Sequence, residues 1–444
     1  MPVATASLEH LLGAQHVRTD AEALQRFRVD GLAPSAVVEP ASSNELVEIV
    51  RWARANKSAL LPVTSGNFLP IGNPPEALDV AVSLARLNRV VAYDPKDLTV
   101  SVEAGVRLGE VQRRLAEHNQ FLPADPLFAE EAAMGGLIAT NASGPLRCAY
   151  GTWRDFTIGM KFVTGEGKLV QSGGRVVKNV AGYDLARLLI GSLGTLGIIT
   201  EVGFKCFPLP ARRGTFLVSF PDARAALAFR DAVIQSPLQP MALELLDPAA
   251  ARLLDSALVS REHWSLVIAA TGVDNVIQRH QRDLDQLARK LTASSFVAHT
   301  QEHPASLWEA VRELISTARA IHPRTTIIKV GLPLASMAPF YEKALAVAAR
   351  YELPAAASGH AGSGIAYIYL LEDAPKKAAQ AATEMIHAGN NLGGRVTIPW
   401  CPTEVKHDVN VWGPLRDDFS LMQKLKAAFD PDRILNAGRF LGGL

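Results

Sequence analysis

A glycine-rich stretch near the middle of the chain constrains its fold more than any other feature. It starts with Gly174–Asp184 and continues through Gly191, Gly194 and Gly197, with small hydroxyl and apolar residues between the glycines. Glycine has no Cβ, so a backbone of this kind can come very close to a ligand. Successive exposed N–H groups can then form a cradle for phosphate that needs no lysine. The stretch predicts a buried cofactor that carries phosphate.

The spacing of these glycines differs from the common dinucleotide-binding fingerprint. Gly191, Gly194 and Gly197 form a GxxGxxG pattern, whereas a Rossmann domain has GxGxxG between a strand and a helix. Here a strand-like run, Ile198–Val202, follows the glycines. Spacing alone leaves a second interpretation open, a glycine-rich turn between buried elements that binds nothing.

Composition excludes several classes of protein. The chain has 444 residues, enough for two or three domains, and its formal net charge of +1 argues against nucleic-acid binding. The longest apolar run, Leu188–Thr200, is broken by glycines and is too short to span a membrane. We expect no signal peptide, because Met1–His10 has no basic region followed by an apolar core. Three widely spaced cysteines, without a CxxC motif, predict reduced thiols in a cytoplasmic protein and no iron–sulfur or zinc site.

Patterning divides the chain into three regions. Ser42 and Glu45 form a capping box before a helix, and two loops rich in small residues, 64–72 and 135–144, lie among short strands. After Pro208 the pattern changes to alternating strands and helices, which is typical of a sheet covered by helices on one face. We place boundaries near Pro208 and Gly393. The histidines His10, His16 and His280 are expected to be exposed.

Several motifs, taken in order, resemble those of one flavoprotein family. They are Asp125-Pro126, Met134-Gly135-Gly136, Ala139–Pro145, Tyr150-Gly151, Arg154-Asp155, Lys178–Asp184, Gly191–Glu201, Phe429–Pro431 and Ile434–Arg439. The chain is similar to the oxidases and dehydrogenases with the vanillyl-alcohol-oxidase (PCMH-type) FAD-binding fold, and most of all to the E-type FAD-binding subunits of bacterial glycolate oxidases. The resemblance implies an α+β protein: a two-part PCMH-type FAD-binding domain over residues 1–209, then an α/β cap domain with a mainly antiparallel sheet over 210–393. Residues 394–444 would return to the FAD domain.

The resemblance also implies a set of cofactor-binding residues. Two loops, 65–72 and 134–136, would hold the diphosphate of FAD through backbone N–H groups, and small residues would line the flavin and ribityl chain. The implied residues are Ser65, Gly66, Asn67, Gly72, Pro123, Met134, Gly135, Gly136, Asn141, Ser143, Gly144, Gly151, Gly194, Gly197 and Ile199. Tyr183 and Asp184 would be structural, as would Arg439. The first loop contains no histidine and Cys148 is out of place for a covalent bond, so we expect non-covalent FAD.

The substrate side departs from the family. Stand-alone D-2-hydroxyacid dehydrogenases of this family carry HxGDGNxH and a later glutamate, which bind a divalent metal. Here His360 is kept, whereas Ser363, Ile365 and Tyr367 replace the aspartate, the asparagine and the second histidine. One imidazole cannot replace several converging ligands, so we expect no metal. His360 then has two interpretations, a catalytic base or a histidine hydrogen-bonded inside the cap.

The remaining candidates for catalysis are basic residues. Lys329, on a predicted cap strand, would hold the carboxylate of a 2-hydroxy acid, and His360 would accept its hydroxyl proton. Arg324 and His407 are weaker candidates. The alternative for Lys329 and Arg324 is an ordinary surface charge.

Three functions follow from the resemblance. The first is the FAD-binding subunit of a glycolate (or D-lactate) oxidising complex, with a metal-motif flavoprotein subunit and an iron–sulfur subunit as partners. The second is a self-sufficient FAD-dependent 2-hydroxyacid dehydrogenase. The third is a non-catalytic FAD-binding assembly subunit. The incomplete metal motif favours the first and third, and the expected location is cytoplasmic, with contact to the inner membrane only through partners.

Overall fold

The structure is a computed structural model, and it describes residues 5–174, 183–302 and 304–444. The strands of the first part are β1 (Val17–Arg18), β2 (Ala36–Val38), β3 (Leu60–Val63), β4 (Val80–Ser83), β5 (Val90–Asp94), β6 (Thr99–Glu103), β7 (Gln120–Phe121), β8 (Thr157–Val163), β9 (Leu169–Gly173), β10 (Ile198–Lys205) and β11 (Phe207–Pro208). Its helices are α1 (Thr5–Leu12), α2 (Ala21–Arg26), α3 (Ser43–Asn56), α4 (Leu108–Ala116), α5 (Met134–Thr140), α6 (Arg147–Tyr150), α7 (Trp153–Phe156) and α8 (Leu185–Leu189).

The second part continues the same numbering. Its strands are β12 (Arg212–Phe220), β13 (Ala242–Leu246), β14 (Trp264–Gly272), β15 (Ser295–His299), β16 (Thr326–Gly331), β17 (Ala355–His360), β18 (Ile365–Leu370) and β19 (Arg395–Trp400). Its helices are α9 (Ala223–Gln235), α10 (Pro248–Leu253), α11 (Asp274–Lys290), α12 (Ala305–Arg312), α13 (Leu314–Ile321), α14 (Met337–Arg350), α15 (Pro375–Asn391), α16 (Thr403–Asp408) and α17 (Phe419–Phe429).

The first part contains two main sheets. One has the order β1-β2-β4-β3 with a parallel centre, and the other is antiparallel with the order β5-β6-β10-β8-β9. Helix α3 begins where the sequence predicts, because Ser42 accepts a hydrogen bond from the Glu45 N–H at 3.1 Å and caps it. The two sheets are the two halves of the expected FAD-binding domain.

The second part is built on an antiparallel sheet with the order β15-β12-β14-β13-β17-β18-β16-β19. Side chains alternate between its two faces, as the period of a strand requires. On β16, Ile328 and Val330 pack among the cap helices, whereas Ile327 packs toward the FAD-binding part. One face therefore belongs to the cap core, and the other forms the boundary with the FAD domain.

Two details differ from the sequence-based expectations. Strand β19 pairs with β16, so the cap sheet extends beyond the boundary placed near Gly393, to Trp400. His280 is buried at 5% exposure, because it lies on the same face of α11 as Ile277 and Leu284, and its Nδ1 is 2.8 Å from the Val276 carbonyl oxygen.

Among the residues that the structure describes, no helix combines the length and apolar character needed to cross a membrane.

The segment after β19, residues 401–444, returns to the FAD-binding part and fastens two of its loops. The Lys406 ammonium donates to the carbonyl oxygen of Pro70, in loop 64–72, at 2.6 Å. The Lys426 ammonium donates to the carbonyl oxygen of Thr195, in loop 191–197, at 2.8 Å. Asn436 donates to the Leu193 carbonyl oxygen of that same loop at 2.6 Å. The C-terminal segment therefore holds both glycine-containing loops in place.

Replacing Asp430 by asparagine should destabilise the fold strongly. Asp430 is fully buried, lies 2.6 Å from the Lys426 ammonium, and also accepts the N–H groups of Ile434 and Leu435. Asparagine would leave a buried ammonium without its counter-charge, a loss of about 3–5 kcal/mol. Urea unfolding measures this loss. The control is Asp432→Asn, which removes a half-exposed pair with Arg54 and should cost about 1 kcal/mol or less; equal losses for the two variants would contradict the prediction.

Candidate functional site

A cleft lies between loop 64–72 and helix α5. Its lining comes from four separate parts of the chain. The lining residues are Leu61, Pro62, Val63, Thr64, Ser65, Gly66, Asn67, Phe68, Leu69, Ile71, Gly136, Ala139, Thr140, Leu193, Asn436 and Arg439. Of the cofactor residues expected from the sequence, Ser65, Gly66, Asn67 and Gly136 line it directly.

The two glycines that begin α5 permit close packing against loop 64–72. A Cβ on Gly135 would lie 2.9 Å from the Ala104 side chain, and one on Gly136 would lie 2.9 Å from the Thr64 hydroxyl. The loops are further joined by the Ser65 hydroxyl, which accepts the Ala133 N–H at 3.1 Å. Glycine at these two positions therefore lets the loop and the helix approach each other across the cleft.

The cleft and its surroundings contain buried polar atoms without a hydrogen-bond partner among the described residues. They are Oδ1 of Asn67, Asn141 and Asn436, and Nε of Arg439. Burying such an atom unpaired costs roughly 1–3 kcal/mol, so several together indicate a polar ligand. A cofactor with a diphosphate, a ribityl chain and a polar ring edge fits this set.

Other expected cofactor residues are not among those that line the cleft, and they pack against protein. Gly144 contacts the Asp125 backbone, Gly151 lies against the Asp155 carboxylate, and Gly197 lies against Phe162. The Ile199 side chain is buried in the core. The others are placed as follows: Met134 is fully buried, Pro123 is buried, Gly72 lies against the Arg439 carbonyl oxygen, Gly194 lies near Pro62, and Ser143 accepts a hydrogen bond from Arg147.

The sequence motif Lys178–Gly182 lies outside the described residues. The two residues that follow it are described. Tyr183 is 89% exposed, and the Asp184 carboxylate caps α8 by accepting the Arg187 N–H at 3.2 Å. Asp184 therefore has a structural contact, whereas Tyr183 contacts no core.

Across the domain boundary, the cap sheet presents a row of polar side chains. Glu244 on β13 lies directly opposite His360 on β17, and its carboxylate is 2.8 Å from His360 Nδ1. The His360 ring contacts the Tyr367 ring edge-to-face at 5.5 Å, and the Lys329 ammonium lies 5.9 Å from the centre of the Tyr367 ring. Strand pairing places Lys329 opposite Tyr367. The two predicted catalytic residues are thus brought to one face of one sheet, with Tyr367 between them.

The Lys329 ammonium has no acidic partner among the described residues. Burial and, to a smaller extent, the positive charge of nearby Arg147 together lower its pKa to about 8. Arg147, which begins α6 in the FAD-binding part, donates to the Ser143 hydroxyl at 3.0 Å. Two cations that approach each other without a carboxylate between them form a place for an anion.

Glu244 orients His360. A carboxylate can only accept, so in neutral His360 the proton is on Nδ1 and Nε2 is left as the basic nitrogen. The hydrogen bond itself agrees with the structural interpretation of His360, and the free Nε2 agrees with the catalytic one. Both Glu244 and the side chain of His360 are largely buried, at 5% and 12% exposure.

Two weaker candidates lie elsewhere. Arg324 is an exposed residue that pairs with Asp373 and Glu404, and His407 is exposed on α16. Sequence reasoning missed Glu244 and Arg147. Glu244 had a usable signal, because a lone acid inside the apolar strand Ala242–Leu246 must find a partner once it is buried. Within the described residues, no group of three or more His, Cys, Asp or Glu side chains could hold a metal ion.

Comparisons with known proteins give the class of the chain. The family described as "FAD binding domain" matches residues 34–173, and the family described as "FAD linked oxidases, C-terminal domain" matches residues 209–397 and 414–440. The fold is that of p-cresol methylhydroxylase, whose structure superposes with a TM-score of 0.80 at 19% identity, covering 98% of this chain and 96% of that one. The chain belongs to the FAD-linked oxidoreductases with a PCMH-type fold, and FAD is its cofactor.

Three named relatives are similar over most of their length. "Glycolate oxidase subunit GlcD" of Bacillus subtilis is 29% identical, over 91% of this chain and 88% of that protein. The mitochondrial "D-lactate dehydrogenase [cytochrome]" of Arabidopsis thaliana is 27% identical, over 92% of this chain and 73% of that protein. "D-2-hydroxyglutarate dehydrogenase" of Stutzerimonas stutzeri is 26% identical, over 99% of this chain and 98% of that protein.

FAD should leave the protein on denaturation. Loop 64–72 contains no histidine, and burial raises the pKa of Cys148 to about 11, which makes its thiol a poor nucleophile. Cys148 also lies against Gly362 of the cap. Acid precipitation followed by chromatography of the supernatant should recover all the flavin as FAD; a yellow pellet would show a covalent bond.

Proposed function

We propose that the chain is the FAD-binding subunit of a glycolate-oxidase-type complex that oxidises a small 2-hydroxy acid, glycolate or D-lactate, to the 2-oxo acid. The names of the relatives support the substrate class, since they include a glycolate oxidase subunit, a D-lactate dehydrogenase and a D-2-hydroxyglutarate dehydrogenase. The observation that carries the proposal is Lys329, a buried ammonium that has no acidic partner in the part of the chain that the structure describes and that shares a sheet face with His360.

Different residues would bind the substrate carboxylate and accept the hydroxyl proton. Lys329, with Arg147 across the domain boundary, binds the carboxylate and fixes the α-carbon in one orientation. His360 Nε2 takes the hydroxyl proton, and Glu244 stabilises the imidazolium that results. Tyr367 fills the space between the two groups and excludes water. When bound, FAD supplies the acceptor for the hydride that leaves the α-carbon.

The complex itself is part of the proposal. The partners would be a metal-motif flavoprotein subunit and an iron–sulfur subunit that takes the electrons onward. One relative is itself named as a subunit of glycolate oxidase, which supports an assembly of this kind. The chain departs from the metal motif at Ser363, Ile365 and Tyr367, which supports a division of roles between subunits. The proposed location is cytoplasmic, with membrane contact only through the partners.

An absorption spectrum separates this proposal from the two alternatives. The purified chain is reconstituted with FAD, and glycolate or D-lactate is then added without oxygen. Bleaching of this chain's flavin only after the partner subunits are added, over and above the bleaching of the partner flavoprotein alone, supports the complex. Bleaching by the chain alone would indicate a self-sufficient dehydrogenase. A bound flavin that no 2-hydroxy acid reduces, with or without partners, would indicate an assembly subunit.

A further inference from the structure

A buried group of charges borders the cofactor cleft, and its charges do not balance. Asp30 is 2.8 Å from the Lys406 ammonium, and the side chains of these two residues are 7% and 1% exposed. The Thr403 hydroxyl donates to the same carboxylate at 3.1 Å. Arg439 is 3% exposed, and the negative charge of Asp30 also acts on its guanidinium. One carboxylate therefore faces an ammonium and a guanidinium, which leaves one positive charge without an anion.

The unbalanced charge lies at the cleft, on Arg439. Its Nη2 donates to the carbonyl oxygens of Leu69 and Ile71, both in loop 64–72. Its Nε has no hydrogen-bond partner among the described residues, and neither has Oδ1 of its neighbour Asn436. Both residues line the cleft. The guanidinium thus has a free donor beside the loop expected to hold phosphate.

A buried guanidinium without a counter-charge is unfavourable, and an anion placed beside it removes most of that cost. Burial lowers the pKa of Arg439 to about 10, so the group stays charged at neutral pH. Loop 64–72 contains only two glycines, which limits how closely its own backbone can surround a phosphate. A cationic side chain would make up for that difference.

We propose that Arg439 binds the diphosphate of FAD and supplies the positive charge that balances it. Arg439 was expected from the sequence to be purely structural. Its two bonds to loop carbonyls are compatible with both roles, because a guanidinium has five donors and the loop uses only part of them. The inference rests on FAD as the cofactor and not on the substrate, so its failure would leave the proposed function standing.

The test compares FAD with riboflavin, which has the same ring and ribityl chain but no phosphate. Affinities of both are measured by quenching of flavin fluorescence with the full-length apoprotein. In Arg439→Gln, FAD affinity should fall by roughly ten- to a hundredfold while riboflavin affinity stays within about twofold. The matched control is Arg433→Gln, since Arg433 lies in the same segment, is exposed and pairs with Glu76; it should change neither affinity.

Two results would overturn the proposal. Equal losses of affinity for FAD and riboflavin would show that Arg439 only stabilises loop 64–72. An unchanged affinity for FAD would show that Arg439 does not bind the diphosphate. If Arg439→Gln does not unfold cooperatively, Arg439→Lys decides by the same comparison. Lysine keeps the charge with fewer donors, so FAD affinity should fall by less than in the glutamine variant, again with riboflavin unchanged.

Discussion

In Lys329→Met, the 2-hydroxy acid concentration that half-reduces the flavin is expected to rise by roughly a hundredfold. The ammonium is the group proposed to hold the substrate carboxylate, and a hydrogen bond to a charged group contributes about 1.5–3 kcal/mol. The measurement is anaerobic bleaching of the flavin band at increasing substrate, with the partner subunits present. The control is Lys343→Met, which removes an exposed lysine of helix α14 in the same domain. Equal half-saturation in Lys329→Met and the wild type would exclude the assigned role.

The same residue gives the site a dependence on pH. The pKa of Lys329 is lowered to about 8 by burial, so the ammonium is present below that pH and is lost as the pH rises through it. Substrate affinity should therefore be constant below pH 8 and fall by about tenfold for each pH unit above it. In Lys329→Arg this fall should be absent, because arginine stays protonated throughout the range.

In His360→Asn, the rate of bleaching at saturating substrate is expected to drop by roughly 10²- to 10⁴-fold, the usual contribution of a general base. Half-saturation should change little, because the imidazole is not the group assigned to the carboxylate. The rate constant is measured by stopped-flow absorption. A rate unchanged by the substitution would leave His360 with only its structural role inside the cap.

Glu244→Gln tests how that base is positioned. Glutamine can still accept the Nδ1–H but no longer stabilises the imidazolium, so the rate at saturating substrate should fall, by less than in His360→Asn, with half-saturation unchanged. A purely structural Glu244 would change stability without changing the rate at saturating substrate. That rate is therefore the deciding measurement.

The sequence was sufficient to predict Lys329 and His360 as candidates, and the alternation of side chains explains why they come together. Lys329 interrupts the apolar run Ile327–Val330, so it had to lie on the opposite face from Ile328 and Val330. What the sequence could not show is strand order. Strands β17 and β18 are consecutive in the chain, whereas β16 precedes both and pairs with β18 on the side away from β17. This pairing brings Tyr367 between the two candidates.

Glu244 and Arg147 were missed for a related reason. Each of them has its neighbour far away along the chain: Glu244 has His360, and Arg147 has Lys329 of the cap. Local patterns indicate helices, strands and turns, and here they indicated two loops rich in small residues. They carry no information on which buried charge lacks a partner, since that depends on the complete set of neighbours.

The fastening of loops 64–72 and 191–197 by residues 401–444 has a consequence for synthesis of the protein. Those residues leave the ribosome after both domains have been made. A nascent chain that has completed only its first 209 residues has the loop sequences but lacks Lys406, Lys426, Asn436 and Arg439, which hold them. Stable binding of FAD is therefore expected only after residues 401–444 have been made and have folded back on the first domain.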